Sequence, residues 1–392
     1  MKSLRKFLDS QKHLFEKGGK LEKFKSTFDA FETFLFTPNH TSKSGVHIHD
    51  TIDLKRTMIV VVLAMLPALL FGSWNIGYQH GLAFGMERGI LDNFLFGFMK
   101  VLPIIVVTYV TGLGIEFITA QIRGHEVNEG FLVTGMLIPL IVPVNIPLWM
   151  VALATAFAVI FGKEIFGGTG YNIMNVALLA RAFLFFAYPA QMTGDQVWIY
   201  DLTKNPPVDG FSGATPLSGL ALGTGIGNYS FADMFLGTIP GSIGETSTLA
   251  ILIGAAILIF TGIGSWKIMF SVVAGGLFMG GLCNLFPGNS YMELPAYYHL
   301  VMGGFAFGTV FMATDPVTAA HTERGKWIYG FLIGIFTVLI RIFNPAYPEG
   351  MMLAILLMNV SAPLIDYFVI ESHIKRRLKR SVSRVKPIND KA

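Results

Sequence analysis

The run TMIVVVLAMLPALLFGS, Thr57–Ser73, contains no charged residue and decides the class of fold. A transmembrane helix needs ~20 consecutive, mostly apolar residues, and this run supplies most of them. Comparable runs recur along the chain, in which 53% of residues are hydrophobic and only 14% are charged. Soluble domains carry about 25% charged residues, so this balance excludes an ordinary soluble fold. The sequence therefore predicts an all-α integral membrane protein.

Ten segments are predicted to cross the membrane, and Gly or Pro interrupts several of them. Interruptions such as the Gly167–Gly170 turn predict broken helices, which membranes tolerate where the backbone lines a cavity or packs against protein. A weak repeat, Glu129 to Trp149 and again Glu245 to Trp266, predicts two five-helix halves that could form an inverted repeat. The ten segments are about 57–73, 98–122, 130–145, 147–162, 172–189, 247–264, 267–286, 299–314, 327–344 and 350–370.

Basic residues concentrate at the two ends of the chain. Residues 1–56 hold 11 Lys/Arg against 7 Asp/Glu, and residues 371–392 hold 8 against 2. The positive-inside rule places both ends in the cytoplasm, on either side of a transmembrane domain at 57–370. The long loop at 190–246 then lies on the outer face. Basic ends of a membrane protein are typical of contact with anionic lipid, so no nucleic-acid partner is predicted.

The outer loop contains a polar stretch of small residues, DGFSGATPLS, Asp209–Ser218. Asp-Gly and Ser-Gly are good turn sequences, so an ordinary turn is one interpretation. The hydroxyl of Thr215 is a weak nucleophile unless another group activates it. Gly213 would allow the active site of another protein to approach the backbone closely. The residues alone leave both the turn and a modification site open.

Several stretches together resemble one known family. Asp-x-x-Ser-Gly-Ala-Thr resembles a flavinylation motif, and GHEVNEGF, KEIFGGTGYNIMN, IPGSIGETSTLA and GGFAFGTVFMATDPV agree with it. The chain resembles the B subunits of Na+-translocating NADH:quinone oxidoreductases, which are related to the D subunits of Rnf complexes. The resemblance implies FMN joined to Thr215 as a phosphoester by a flavin transferase outside the cytoplasmic membrane. Asp209, Ser212 and Gly213 are the other motif residues.

The same resemblance implies an electron-transfer subunit of a redox-driven sodium pump in a bacterial cytoplasmic membrane. Electrons would pass from FMN through non-covalent riboflavin to ubiquinone or menaquinone, coupled to Na+ movement. The partners would be the A, C, D, E and F subunits, and the chain alone would be inactive. Riboflavin is expected at Asn172 and Asn175, although Val176 stands where the family has proline. Quinone is expected near the N-terminal segment and the second helix, at Phe28, Phe31 and Gly112.

Four charged residues within or beside apolar runs are further candidates. Arg181 lies inside LLARAFLFF, where a charge is costly and is usually paired or functional. It could meet a flavin phosphate or form a structural ion pair. Glu116 and Asp366 are candidates for the cation path, because intramembrane carboxylates are functional candidates by default. Asp315 is a third, although its position before proline favours a helix cap.

No resident metal site is predicted. His47, His49 and His125 lack helical metal-ligand spacing with a third ligand in reach. The chain has one cysteine, Cys283, so neither an internal disulfide nor a cysteine-ligated iron–sulfur cluster can form from it alone.

Two other functions remain open from the residues. The five-plus-five pattern and broken helices are also typical of a secondary transporter or channel for a small solute. A scaffold that organises other subunits through its basic ends is the third hypothesis. Neither alternative predicts a bound flavin.

Overall fold

The computed structural model describes residues 54–123, 130–203, 205, 207–209, 211–344 and 347–385, together with positions 5, 10–15, 28, 32, 36 and 44–46. These residues form helices and loops and include no strand. Five helices are long and apolar enough to cross a membrane, and several shorter apolar helices accompany them. The predicted all-α integral membrane fold is confirmed.

Ten apolar helical segments, α1 to α10, lie where the sequence predicts them. The π-helical turns Ile160–Glu164 and Gly308–Met312 continue α4 and α8. Short helices occupy the connecting loops at Pro189–Met192, Pro216–Ala221, Phe231–Leu236, Ser290–Glu293 and Tyr298–Val301. The main segments are α1 Leu54–Phe84, α2 Ile90–Arg123, α3 Phe131–Leu140, α4 Leu148–Val159, α5 Val176–Ala187, α6 Thr248–Phe260, α7 Trp266–Asn284, α8 Phe305–Phe307, α9 Glu323–Phe343 and α10 Met351–Val385.

The helix ends differ from the predicted ones for identifiable reasons. Helices α1 and α2 extend beyond their apolar runs, to 31 and 34 residues. Helix α10 passes the predicted domain boundary at 370 without a break and continues to Val385. Lys and Arg, which fill this basic stretch, are good helix formers. Apolar runs therefore mark where a helix meets lipid and not where it ends.

Helix α3 is short because prolines follow it. Pro143 and Pro147 lack the N–H that a continuing helix needs. The carbonyl groups at the end of α3 therefore require other partners. One partner comes from the far half of the chain, where the backbone N of Gly244 donates to the carbonyl oxygen of Leu140 at 2.7 Å. The broken helix is thus stabilised by the segment before α6.

Close helix crossings depend on small residues. A Cβ atom at Gly275 of α7 or at Gly334 of α9 would overlap the backbone of the other helix. In lipid, small residues let helix backbones approach and gain packing energy. One apolar core takes buried residues from both halves of the chain, so the two halves pack as one body. Their relation as an inverted repeat stays a prediction.

Candidate functional site: the cavity beside Thr215

Thr215 borders a cavity of about 290 Å³ between the loop at 190–246, α5 and the start of α10. It is half-buried and precedes the short helix Pro216–Ala221. Its Oγ1 accepts a hydrogen bond from the backbone N of Ser218 at 3.2 Å and so caps that helix. The charged and aromatic residues in the wall are Arg181, Phe185, Asp195, Trp198, Glu245, Tyr347 and Glu349.

The cap leaves the hydroxyl of Thr215 chemically available. Capping uses a lone pair on Oγ1, and within the described chain no acceptor takes the hydroxyl proton. A phosphoester replaces that proton and leaves an oxygen that can still accept from Ser218. Modification of Thr215 is therefore compatible with the observed local structure.

The other residues of the Asp-x-x-Ser-Gly-Ala-Thr motif belong to the loop that precedes Thr215. Gly213 is buried, and a Cβ atom there would overlap the carbonyl oxygen of Asp195. The Oγ of Ser212 accepts from the backbone N of Ala214 at 3.2 Å, and this side chain is exposed. Asp209 is also exposed. The structure brings Thr215 to the cavity but places neither Asp209 nor Ser212 in its wall.

Arg181 lies in the cavity wall and forms ion pairs with two acids. Its Nη1 lies 2.8 Å from Oε1 of Glu245, and its Nη2 contacts the carboxylate of Glu349. Its Nε and the Oε1 of Glu349 have no hydrogen-bond partner among the described residues. Burial raises the pKa of Glu349, which lies between α9 and α10, whereas the nearby Arg181 guanidinium opposes that rise. The structural ion pair considered from sequence is observed.

Three further residues of this region, Glu245, Glu349 and Arg341, were not predicted from the sequence to lie here. Arg341 is fully buried and donates to the carbonyl oxygens of His299, Met302 and Glu349 at 2.7, 2.8 and 3.0 Å. It therefore ties the loop before α8 to the start of α10. The sequence feature that could have indicated these acids was the arginine inside α5, because a buried charge requires acidic partners. Glutamates just before α6 and α10 are the acids that can reach it.

A second cavity, of about 100 Å³, lies near the start of α5 and is lined by Asn172, Asn175 and Asp315. The Oδ1 of Asn175 accepts from the first backbone N–H groups of α5, and its Nδ2 donates to Asp315 at 3.2 Å. Asn172 donates to the carbonyl oxygen of Met174 at 3.2 Å. Ligand pockets begin at roughly 300 Å³. The described residues therefore do not enclose a riboflavin ring here.

Asn175 makes these capping bonds although Val176 replaces the family proline. Val176 is buried at the first position of α5. Proline is favoured at that position because it needs no N–H there, and the side-chain cap supplies an independent way to start the helix. The departure from the family pattern leaves a well-formed helix start.

Glu116 is buried in α2 and forms an ion pair with Lys163 of the π-helical turn. Its Oε2 has no partner among the described residues. Arg123 and Glu164 form a neighbouring pair, with 3.6 Å between Arg123 Nη1 and Glu164 Oε2. Of the three proposed cation-path acids, Glu116 thus has one carboxylate oxygen without a partner in the described part of the chain.

Asp315 and Asp366 both accept hydrogen bonds from backbone N–H groups in the segment that leads into α9. Asp315 accepts from the backbone N of Val317 at 3.0 Å and from the hydroxyl of Thr318 at 3.1 Å. Asp366 accepts from the backbone N of His321 at 2.7 Å, and also from both the backbone N and the hydroxyl of Thr322. Each carboxylate therefore has a structural role in addition to any role in ion movement.

Asp366→Ala is expected to lower the free energy of unfolding by about 1–2 kcal/mol, because the start of α9 loses its acceptors. Asp366→Asn keeps one acceptor oxygen and should lose less. Thermal unfolding of the purified complex measures both changes. An unchanged melting temperature with a raised KM for Na+ would contradict this structural role of Asp366 and favour a direct contact between its carboxylate and the cation.

Gly112 lies in a tight contact between α2 and α3. It is buried, and a Cβ atom there would overlap the ring of Phe131. Gly112 lines none of the three cavities described in this structure. Phe28 stacks on Phe15, with ring centroids 4.4 Å apart. Phe31 lies outside the described residues, so the three predicted quinone residues stay a prediction.

Gly112→Ala is expected to destabilise the protein by about 1–3 kcal/mol, because the added methyl group displaces the Phe131 ring in a packed core. Leu113→Ala, one position along, provides a control that removes volume from a partly buried site. Unfolding temperature and quinone KM should be measured together. A raised KM without loss of stability would show that Gly112 contacts quinone and does not serve packing alone.

The parts of the chain with described coordinates contain no group of three or more His, Cys, Asp or Glu placed to hold a metal ion. His47, His49 and His125 lie outside those parts.

Known proteins match this chain over nearly its whole length. The model of the NQR2, RnfD, RnfE family matches residues 41–375. A protein of Stutzerimonas stutzeri (strain A1501), named as the B subunit of a Na(+)-translocating NADH-quinone reductase, is 51% identical, over 97% of this chain and 100% of its own length. Proteins of the same name from Ectopseudomonas mendocina (strain ymp) and Azotobacter vinelandii (strain DJ / ATCC BAA-1303) are 50% and 49% identical, with equal coverage. The chain therefore belongs to the NQR2, RnfD, RnfE family.

Proposed function

We propose that this chain is the membrane electron-transfer subunit of a bacterial redox-driven sodium pump and carries FMN on Thr215. The observation that carries the proposal is the available Thr215 hydroxyl at the edge of a cavity of about 290 Å³. The relatives are named as B subunits of Na(+)-translocating NADH-quinone reductases, and that name supplies the class of reaction and implies a multi-subunit oxidoreductase. The ten apolar segments support a location in the membrane.

The residues around Thr215 fit a flavin. The cavity volume lies near the lower end of the roughly 300–1,000 Å³ found for ligand pockets. Phe185, Trp198 and Tyr347 supply aromatic surface for a planar ring. Arg181 is the one cation in the wall that the described residues form, and its buried Nε–H has no hydrogen-bond partner among those residues. Bound FMN would supply one-electron transfer between redox partners.

The chain's own residues would position and insulate this group. Thr215 would hold the phosphate end at a fixed point, because its oxygen also caps a helix. The aromatic side chains would exclude water from the ring. Arg181 would place positive charge near the phosphate, while Glu245 and Glu349 fix its guanidinium in one orientation. Such fixed charges set the potential at which a flavin exchanges electrons.

Electron transfer through this chain would run from the outer side of the membrane to the cytoplasmic side and would involve other subunits. The positive-inside rule supports cytoplasmic ends and an outer location for Thr215, where a flavin transferase would modify it. Electrons would arrive from a neighbouring flavoprotein subunit and leave to ubiquinone or menaquinone on the cytoplasmic side. The A, C, D, E and F subunits would supply the remaining steps. No step is assigned to riboflavin, because the cavity at Asn172 is too small to enclose it.

Proteoliposomes containing the purified complex test this function. NADH and quinone should drive uptake of radioactive Na+, and a complex that lacks this chain should lose both quinone reduction and uptake. A protonophore should leave Na+ uptake intact if Na+ itself is transported. NADH oxidation with full quinone reduction in the absence of this chain would contradict the electron-transfer role.

A secondary transporter is the second candidate, and one observation favours it. Asn175 and Asp315, at the ends of two interrupted helical regions, are hydrogen-bonded to each other. Interrupted helices that meet in a membrane domain are typical of transport sites. Solute or Na+ uptake by the chain alone, without NADH, would support this alternative.

A further inference from the structure

A cavity of about 550 Å³ lies between the start of α9 and the second half of α10, far along the chain from Thr215. None of its lining residues lines either of the cavities described above. The loop and α9 contribute His321, Thr322, Glu323 and Arg324, and α10 contributes Val369, Ile370, His373, Ile374 and Arg377.

The walls of this cavity are held in fixed positions. On α10 the lining residues follow a spacing of four, Val369, His373 and Arg377, so they share one face of the helix. One turn earlier, Asp366 accepts hydrogen bonds from the backbone of His321 and Thr322. The bonds to Asp366 fix the distance between the two walls.

The rim of the cavity carries uncompensated positive charge. Arg324 and Arg377 are exposed and form no ion pair with any described residue. The carboxylate of Glu323 is already shared between Lys267 and Lys326. Two guanidinium groups therefore remain available for an anion, and arginine can bind a phosphate through two parallel hydrogen bonds.

The cavity lies where a bilayer surface is expected. Trp266 and Trp327, at the adjacent helix ends, are 51% and 38% exposed and pack edge to face at 5.8 Å. Tryptophan is enriched at membrane–water interfaces. Below the cationic rim, Ile370 and Ile374 continue the exposed face of α10 that includes Tyr367. An apolar wall under a cationic rim matches a molecule with an anionic head and an apolar tail.

We propose that this cavity binds the phosphate headgroup of an anionic phospholipid, with its acyl chains along the exposed face of α10. Arg324 and Arg377 contact the phosphate, and Ile370 and Ile374 contact the upper part of the chains. A soluble phosphate makes no use of the apolar wall. An acidic protein segment makes no use of the continuation of that wall into the membrane face. An anionic phospholipid contacts both the cationic rim and the apolar wall that continues along α10.

Native mass spectrometry of the purified whole complex, in mild detergent with an equimolar mixture of phosphatidylglycerol and phosphatidylcholine, tests the site. R324Q/R377Q should weaken phosphatidylglycerol binding roughly 25-fold, on the order of five-fold for each arginine removed. R376Q/K379Q is the matched control, because it removes two exposed cations from the same helix outside the cavity. Binding of phosphatidylcholine should be little changed in either variant.

Several results would overturn the proposal. Equal losses in the two double variants would show diffuse attraction and no built site. Displacement of the lipid by excess inorganic phosphate would show that the apolar wall contributes nothing. Loss of a protein partner and not of lipid from R324Q/R377Q would show that the cavity is a protein interface. If the double variant does not assemble, R324Q and R377Q are measured singly, and an unchanged lipid affinity in both would have the same meaning.

Discussion

Thr215→Val is expected to abolish covalent flavin on this chain. Valine has nearly the shape of threonine but no hydroxyl, so no phosphoester can form. The substitution also removes the cap of the short helix Pro216–Ala221, at a cost of about 1 kcal/mol. That cost is small for a chain with an extensive core, so the protein should still assemble. Intact mass and in-gel flavin fluorescence, with the flavin transferase co-expressed, measure the result.

Thr224→Val is the matched control for this prediction. Thr224 belongs to the same loop at 190–246, and its hydroxyl donates to the carbonyl oxygen of Gly219 at 3.0 Å. The control therefore loses one local hydrogen bond, as Thr215→Val does, but keeps the proposed acceptor. Its flavin content should equal that of the wild type. Flavin that persists on the Thr215→Val chain, or that is lost equally from both chains, would contradict the assignment of Thr215.

The Thr215→Val variant should also show whether the flavin is needed for electron transfer or for assembly of the complex. The complex should retain its other subunits, because Thr215 lies in a loop and not in the helix core. Quinone reduction should fall sharply, since the proposed route passes through this position. A complex that reduces quinone at the wild-type rate without flavin on this chain would remove the proposed role, even if the modification itself is real.

The positions and order of the apolar helical segments could be predicted because each depends on a local property. Apolar runs report burial in lipid directly, and all ten coincide with helical segments. Helix ends were less predictable, since they depend on hydrogen bonds to distant residues. The end of α3 is an example, because its Leu140 carbonyl is satisfied by Gly244, about a hundred positions away.

The residues of the candidate site were likewise predictable where a local pattern marks them, and not where only the fold brings them together. Thr215 was identified because its motif is contiguous, and Arg181 because a charge inside an apolar helix is conspicuous. Glu245 and Glu349 were not assigned, since only the fold brings the starts of α6 and α10 to α5. Gly112 was assigned to quinone by resemblance, whereas the structure shows a packing contact with Phe131 that no local pattern reveals.

Arg181→Met is expected to cause the largest loss of stability among single substitutions in this region. Methionine fills a similar volume but leaves the carboxylates of Glu245 and Glu349 buried without their shared cation. Removing one partner of a buried ion pair costs about 3–5 kcal/mol, because the remaining charge is uncompensated. Arg181→Lys keeps the charge but cannot present two separate N–H groups in a fork, so an intermediate loss is expected. Thermal unfolding of the purified complex measures each change.

The triple variant Arg181→Met, Glu245→Gln, Glu349→Gln distinguishes this explanation from simple loss of packing. If the cost comes from uncompensated charge, neutralising both acids should recover most of the stability that Arg181→Met loses, because coupled residues are strongly non-additive. If the cost comes from packing, the triple variant should be at least as unstable as the single one. Flavin fluorescence on the same samples adds a second criterion. A stable triple variant that keeps its flavin would show that the fold requires compensated charge here and not the ion pairs themselves, whereas a stable variant with altered flavin potential would show that the ion pairs tune the cofactor.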